Sequence, residues 1–249
     1  METHDADGRR EYFTIMYQPN STGESNSFST YTHSILPDVH RIGDTVIYSL
    51  YSEHPNFNMV YHSAEFTREA AHFALIDSKT HKGSVMARGF PEEYVKNPFK
   101  LFSFSFVRFD LFPDGKLLVS FEATPELYIC DMNGRPIGVF GTPGKNMDQD
   151  YLSVNSFELE EIIKFRKNRE SKGYYGSIKV VGNRVFRSYR KGGESPVDGL
   201  QIYENEVLIA DVDVPKDFSV IGVSGNTVIS NVQYNEDSER LFCYEFELE

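Results

Sequence analysis

The sequence predicts an all-β fold: a β-propeller of four-stranded antiparallel blades, with one inserted helix near 155–171. Three observations predict it. A pattern recurs: RIGDTVIYSLY at Arg41–Tyr51 returns as FPDGKLLVSFE at Phe112–Glu122, VVGNRVFRSYR at Val180–Arg190 and VSGNTVISNVQ at Val223–Gln233. Each copy has an apolar approach, a glycine turn, then a β-branched or aromatic run. The spacing is informative too. The turn glycines Gly43, Gly115, Gly182 and Gly225 lie 72, 67 and 43 residues apart. The last value matches a blade of about 40–50 residues, and the others fit a blade plus an insertion of roughly 25. Finally, 20 Phe and 15 Tyr without any Trp favour strands, where flat rings pack on pleated surfaces.

The elements can be taken in order. EYFTIMY, residues 11–17, reads as a strand without a unit of its own, and is expected to close the last blade and cover its edge. The first unit, Val39–Ile76, gives strands at 38–42, 45–51, 58–64 and 71–76. The stretch 80–101 reads as an insertion. The second unit is the clearest: FSFSFVRFDLF, KLLVSFEA, LYICDM and PIGVFG, with turns at Pro113-Asp114-Gly115 and Asn133-Gly134. The Asn-Gly pair predicts a type I′ hairpin, whose two central residues both need positive φ.

A second insertion spans 145–173. Within it NSFELEEIIKFRKNRESKG predicts a helix, with Asn155 and Glu158 as a capping pair. Acidic residues come early and basic residues late, and Phe157, Leu159, Ile162 and Ile163 are expected to form its apolar stripe. The third unit reads SIKVV, RVFRSYR, GLQIYE and EVLIADV. The fourth reads FSVIGV, TVISNVQ and RLFCYEFEL, only three strands. Residues 1–249 are expected to form one domain.

Composition narrows the function classes. A net charge of -12 lacks the electrostatic footprint of a nucleic-acid or anionic-membrane binder. Two cysteines, Cys130 and Cys243, are too few for a disulfide framework and form no CxxC pair; both are expected to be buried in strands. No apolar run is long enough to span a membrane, and METHDADGRREYF has no secretion-signal pattern.

Motif chemistry is sparse. The histidines His4, His33, His40, His54, His62, His72 and His81 show no HExxH or zinc spacing, although His62 and His72 have strand positions that would let them meet across a hairpin. NMDQD at 146–150 lacks the calcium-loop glycine. GxSxG, P-loop and dinucleotide motifs are absent, so no metal and no cofactor are expected. The group with the most chemistry is cationic and aromatic: Arg187, Tyr189 and Arg190, with Arg41 and Arg108 before equivalent turns and His40 and Asp110 beside them. Guanidinium groups with aromatic neighbours suit carboxylate, phosphate or sugar-acid ligands.

FDLFPDGKLLVSFEATPELYICDMNGRPIGVFGTPG resembles an NHL-type or TolB-like propeller repeat, through Pro113-Asp114-Gly115, Tyr128–Asp131, Asn133-Gly134 and Phe140-Gly141. FRSYRKGG, LQIYENEVLIADVDVP and the final YEFELE resemble a family of uncharacterised six-bladed propellers, often predicted lipoproteins, from Bacteroidetes. The resemblance implies six blades, first strands lining a central channel, and the bacterial envelope or periplasm. It assigns no activity. The reading is a non-enzymatic binding or scaffold protein with a protein or glycan ligand, and His40, Arg41, Arg108, Asp110, Arg187, Tyr189 and Arg190 as ligand-binding candidates. The alternative is a glycan- or lactone-directed hydrolase or lyase at the channel mouth.

Overall fold

The structure, a computed structural model, describes residues 2–4, 10–12, 16–17, 28–29, 38–52, 67–68, 70–154, 159–235 and 237–248. The chain separates into two compact units, Met1–Phe90 and Pro91–Glu249. Both carry the expected all-β architecture, as sheets whose strands mostly follow one another in chain order.

The sheet of the first unit contains a meander of Val39–Ile42, Thr45–Ser49, Ala71–Asp77 and Lys82–Arg88. The strand Lys82–Arg88 corrects the reading of 80–101 as an insertion: it pairs along Ala71–Asp77, from Ala71↔Arg88 to Ile76↔Gly83. KGSVMAR hides its strand character because Val85 is its one β-branched residue and Lys, Gly, Ser and Arg dilute the alternation. Its neighbour supplies most of the apolar face, with Phe73 and Ile76 buried. The strand expected at 58–64 lies outside the described residues. Of the segment 11–17, Glu11–Tyr12 pairs with Glu2–Thr3, and Met16–Tyr17 runs parallel to Lys82–Gly83; residues 13–15 lie outside the described ones.

The second unit contains three such sheets. The second sheet is Val107–Leu111, Leu117–Phe121, Leu127–Cys130 and Pro136–Phe140. The third is Tyr174–Val181, Arg184–Arg190, Asp198–Glu204 and Val207–Val214. The fourth has three strands, Val220–Ser224, Thr227–Ser230 and Glu245–Glu247. Gln233–Asn235 and Arg240–Phe242 make a separate hairpin. RLFCYEFEL is therefore two strands rather than one. The break follows from Ser230, whose Oγ accepts the Tyr244 N–H at 2.8 Å. It also exposes Cys243, against expectation, while Cys130 is buried.

Successive sheets pack through their first strands: Val107–Leu111 lies beside Tyr174–Val181, which lies beside Val220–Ser224. Leu118, Leu127, Ile129, Val180, Val185 and Tyr203 fill the space between the second and third sheets. Phe186, Leu200, Ile202, Phe218, Val220 and Val228 fill that between the third and fourth. Burial falls outward: every residue of Leu117–Phe121 is buried, whereas Pro136, Ile137 and Val139 are exposed. Sheets stacked by their faces, with first strands together and last strands in water, are blade-like.

The repeated glycines have a common cause. Gly43, Gly182 and Gly225 open two-residue hairpins at φ 58–61°, and Gly115 sits at 86°. An added Cβ would meet nothing at these sites, so backbone conformation and not space selects glycine. At Asn133-Gly134 only the glycine has positive φ. This turn is longer than the expected I′ hairpin, and Asp131 Oδ1 organises it by accepting the Asn133 and Arg135 N–H groups at 2.8 and 2.9 Å.

Two helices border the second sheet: α1, Glu92–Lys96, and α2, Leu159–Ser171. The capping pair Asn155 and Glu158 lies outside the described residues. On α2 the packed face is Phe165 and Asn168, both buried, while Ile163 is exposed. Of the expected stripe only the Ile163 side chain is among the described ones, and it faces water. Asn168 claims the inward face by bonding both backbone groups of Leu152, accepting from N at 2.7 Å and donating to O at 3.1 Å.

Candidate functional site

The residues singled out in the sequence are divided between the two units. His40 and Arg41 lie on Val39–Ile42 in the first unit, His40 half-buried and Arg41 exposed with its Nε donating to Gly43 O at 2.9 Å. The other five lie in the second unit and are largely engaged by the fold. Asp110 is buried; its Oδ2 accepts Val180 N–H at 2.7 Å and its Oδ1 accepts Leu111 N–H at 2.8 Å. It therefore staples the first strands of two sheets. Arg187 is fully buried and donates to the carbonyls of Pro125 (2.6 Å), Thr124 (2.9 Å) and Phe121 (3.3 Å). Its guanidinium lies 3.4 Å from the Tyr175 ring centre. Burial lowers its pKa to about 10, because desolvation opposes the cation. Tyr189 Oη donates to Asp211 Oδ1 at 2.6 Å, and Arg190 Nη2 donates to Glu170 O at the end of α2.

Charge also concentrates where the inserted segments meet the second sheet. Glu122 follows the strand Leu117–Phe121 and is 1% exposed. Arg169 of α2 donates from Nη1 to its Oε2 at 2.7 Å and to Ser103 O at 3.2 Å. The same guanidinium sits 4.0 Å over Tyr174. Burial raises the Glu122 carboxyl above its ordinary range, and the charges of Arg169 and Arg108 oppose that rise. Tyr94 of α1 completes the arrangement, donating to Phe104 O at 2.6 Å and accepting Ala123 N–H at 2.9 Å. These bonds bind the insertions to the sheet. Each donor and acceptor is turned toward another part of the fold, which suits anchoring better than chemistry.

The hairpin-turn end of the same two sheets is open. A cleft of about 310 Å³ lies between them. Its apolar floor is Phe112, Ile129, Phe140 and Val185. Asp114 and Lys116 stand on one side, and Asn183, Asn205 and Glu206 on the other. The side chains on the third-sheet side are organised: Asn183 Nδ2 donates to Asn205 Oδ1 at 3.1 Å, and Asn205 N donates to Asn183 O at 3.1 Å. Lys116 Nζ meets Asp114 Oδ2 at 2.6 Å and holds that carboxyl below its usual range. Asn205 and Glu206 form a two-residue hairpin with φ of 50° and 67°, a left-handed pair in which glycine is the usual occupant. The cleft has the size and make-up of a ligand site: an apolar floor with a few convergent polar groups.

None of the seven sequence candidates lines this cleft. Its own residues were legible only as turns. The one available signal was Asn205-Glu206, a hairpin turn with a carboxylate where a glycine costs less. Among the described residues no three His, Cys, Asp or Glu side chains come together as a metal-binding group, and no helix is long and apolar enough to cross a membrane. His62 lies outside the described residues. His72 is buried and bonds Gly89 O at 2.8 Å.

The fold has a solved counterpart. The chain is similar to the crystal structure of a member of the DUF4221 family from Bacteroides vulgatus, at 12% identity and a TM-score of 0.60. The match covers 85% of this chain and 64% of that one, so the chain spans under two thirds of its counterpart's length. At this identity the likeness establishes the fold alone. No family model matches the sequence, and no curated protein does.

Proposed function

We propose that the protein is a non-enzymatic binding or scaffold protein of the propeller type, whose ligand is a protein or a glycan held at the turn end of adjacent blades. The observation that carries this reading is the cleft between the second and third sheets, with its apolar floor and its rim of amides and carboxylates. A rigid stack of sheets presenting turns on one side suits recognition. The wider reading follows the resemblance: a single six-bladed ring of the NHL or TolB kind, working in the bacterial envelope. What weighs against the hydrolase or lyase alternative is Asp110. An acid or base at the channel mouth needs a carboxylate within reach of substrate, and both Asp110 oxygens accept backbone N–H groups inside the fold.

The test is a glycan array and a peptide array probed with the full chain and with an Asn183→Ala/Asn205→Ala double variant. Ligands retained by the native chain and lost by the variant support the reading. Turnover in a hydrolase panel, with no retained ligand on either array, overturns it.

A further inference from the structure

We propose that the cleft between the second and third sheets binds one neutral pyranose ring, with Glu206 accepting hydrogen bonds from its hydroxyls. This rests on the reading of the cleft as a binding site and names its ligand class. Three observations lead to it. The floor pairs two aromatic side chains, Phe112 and Phe140, with the aliphatic Ile129 and Val185, a surface for the C–H face of a ring. The rim is made of groups that read hydroxyls: the mutually bonded amides of Asn183 and Asn205 and the acceptor-only carboxylate of Glu206. The third observation is conformational. Glu206 sits at φ 67°, where a side chain is disfavoured and glycine is not. A residue held against its backbone preference at the lip of a cleft points to function.

Charge selects a neutral ligand. Lys116 is the cation among the lining residues, and it is already paired with Asp114. An anionic sugar would therefore meet Glu206 without a free partner, on a chain of net charge -12. A cation would find two solvent-exposed carboxylates, Glu206 and the Asp114 already paired with Lys116, a weak attraction in water, and would leave the floor and the amides without a use. A ring with one apolar face and hydroxyls at its edge uses all three features.

The experiment is saturation-transfer NMR on the full chain with methyl β-glucopyranoside, methyl β-galactopyranoside, glucuronate and an acetylated Phe-containing tripeptide amide. Expected is transfer to at least one neutral pyranoside and little to glucuronate. Glu206→Gly is expected to weaken the pyranoside at least tenfold while raising the melting temperature, and Asn205→Gly to weaken it without unfolding the protein. Phe140→Ala is expected to abolish transfer, and circular dichroism separates loss of binding from loss of fold. Transfer to glucuronate equal to that of the neutral sugars overturns the charge argument and with it the proposal. Transfer to the tripeptide alone, abolished by Asn183→Ala, overturns the sugar but leaves the cleft as a binding site. Neutral sugars that bind with unchanged affinity in Glu206→Gly and Asn205→Gly place their site elsewhere, and both readings of the cleft fall.

Discussion

The two ends of the second and third sheets use polar residues in opposite ways. Where the insertions pack, Glu122, Arg169, Arg187 and Tyr189 turn inward, and each finds a carbonyl, a carboxylate, a guanidinium or an aromatic face; of their buried polar atoms only Nε of Arg187 is left without a hydrogen bond. Where the hairpins turn, Asp114, Lys116, Asn183, Asn205 and Glu206 surround an open cleft. The same residue types thus serve architecture at one end and line a cleft open to water at the other. Burial makes the difference: a charge removed from water must be compensated by the fold and has little left for a ligand.

The contrast can be broken most severely at Arg187. Arg187→Ala leaves three carbonyls without a donor and a cavity beside Tyr175, and is expected to cost about 3–5 kcal/mol in chemical denaturation. Arg187→Lys should recover only part of that loss, since an ammonium cannot span the same carbonyls. A loss below 1 kcal/mol would show that the buried guanidinium is not architectural.

Glu122 comes next. Glu122→Ala leaves Arg169 unpaired, at an expected cost of roughly 3 kcal/mol, and Glu122→Gln, which keeps an acceptor for the Arg169 Nη1–H, should cost less. The pH dependence has a definite sign. A carboxyl whose folded pKa is raised contributes its stability at acid pH, below its unfolded pKa, and loses it as pH rises through the folded value. Melting curves of the native chain should therefore shed this contribution above the ordinary carboxylate range, and Glu122→Gln should not. A native profile identical to that of Glu122→Gln would remove burial as the dominant cause.

At the turn end the expected effects are smaller and change sign with the residue. Gly182→Ala forces a side chain into φ 61° and should cost about 1–2 kcal/mol. Glu206→Gly relieves the same conformation and should stabilise by roughly 1 kcal/mol. The smallest effect belongs to the exposed α2 pair Arg166 and Glu170, four residues apart; Arg166→Ala should change stability by about 0.3–0.5 kcal/mol and less in high salt.

The sequence by itself determined the local code. Glycines at positive φ, alternating runs and hairpin spacing place all four strands of the second and third sheets, because these signals act within a few residues, although FSFSFVRFDLF reads as one strand where Phe102–Phe104 is a short 3-10 helix and the strand is Val107–Leu111. It misplaced Lys82–Arg88, whose strand state depends on its neighbour's apolar face, and it read RLFCYEFEL as unbroken because Ser230 intervenes from another strand. It named Arg187, Tyr189 and Asp110 as ligand-binding candidates but could not see where they turn. Only the tertiary structure decided that, together with the existence of a cleft between turns some 70–90 residues apart in the chain. The physical reason is range. Backbone preference is written residue by residue, whereas desolvation, ion pairing and concavity arise when distant segments compete for the same space.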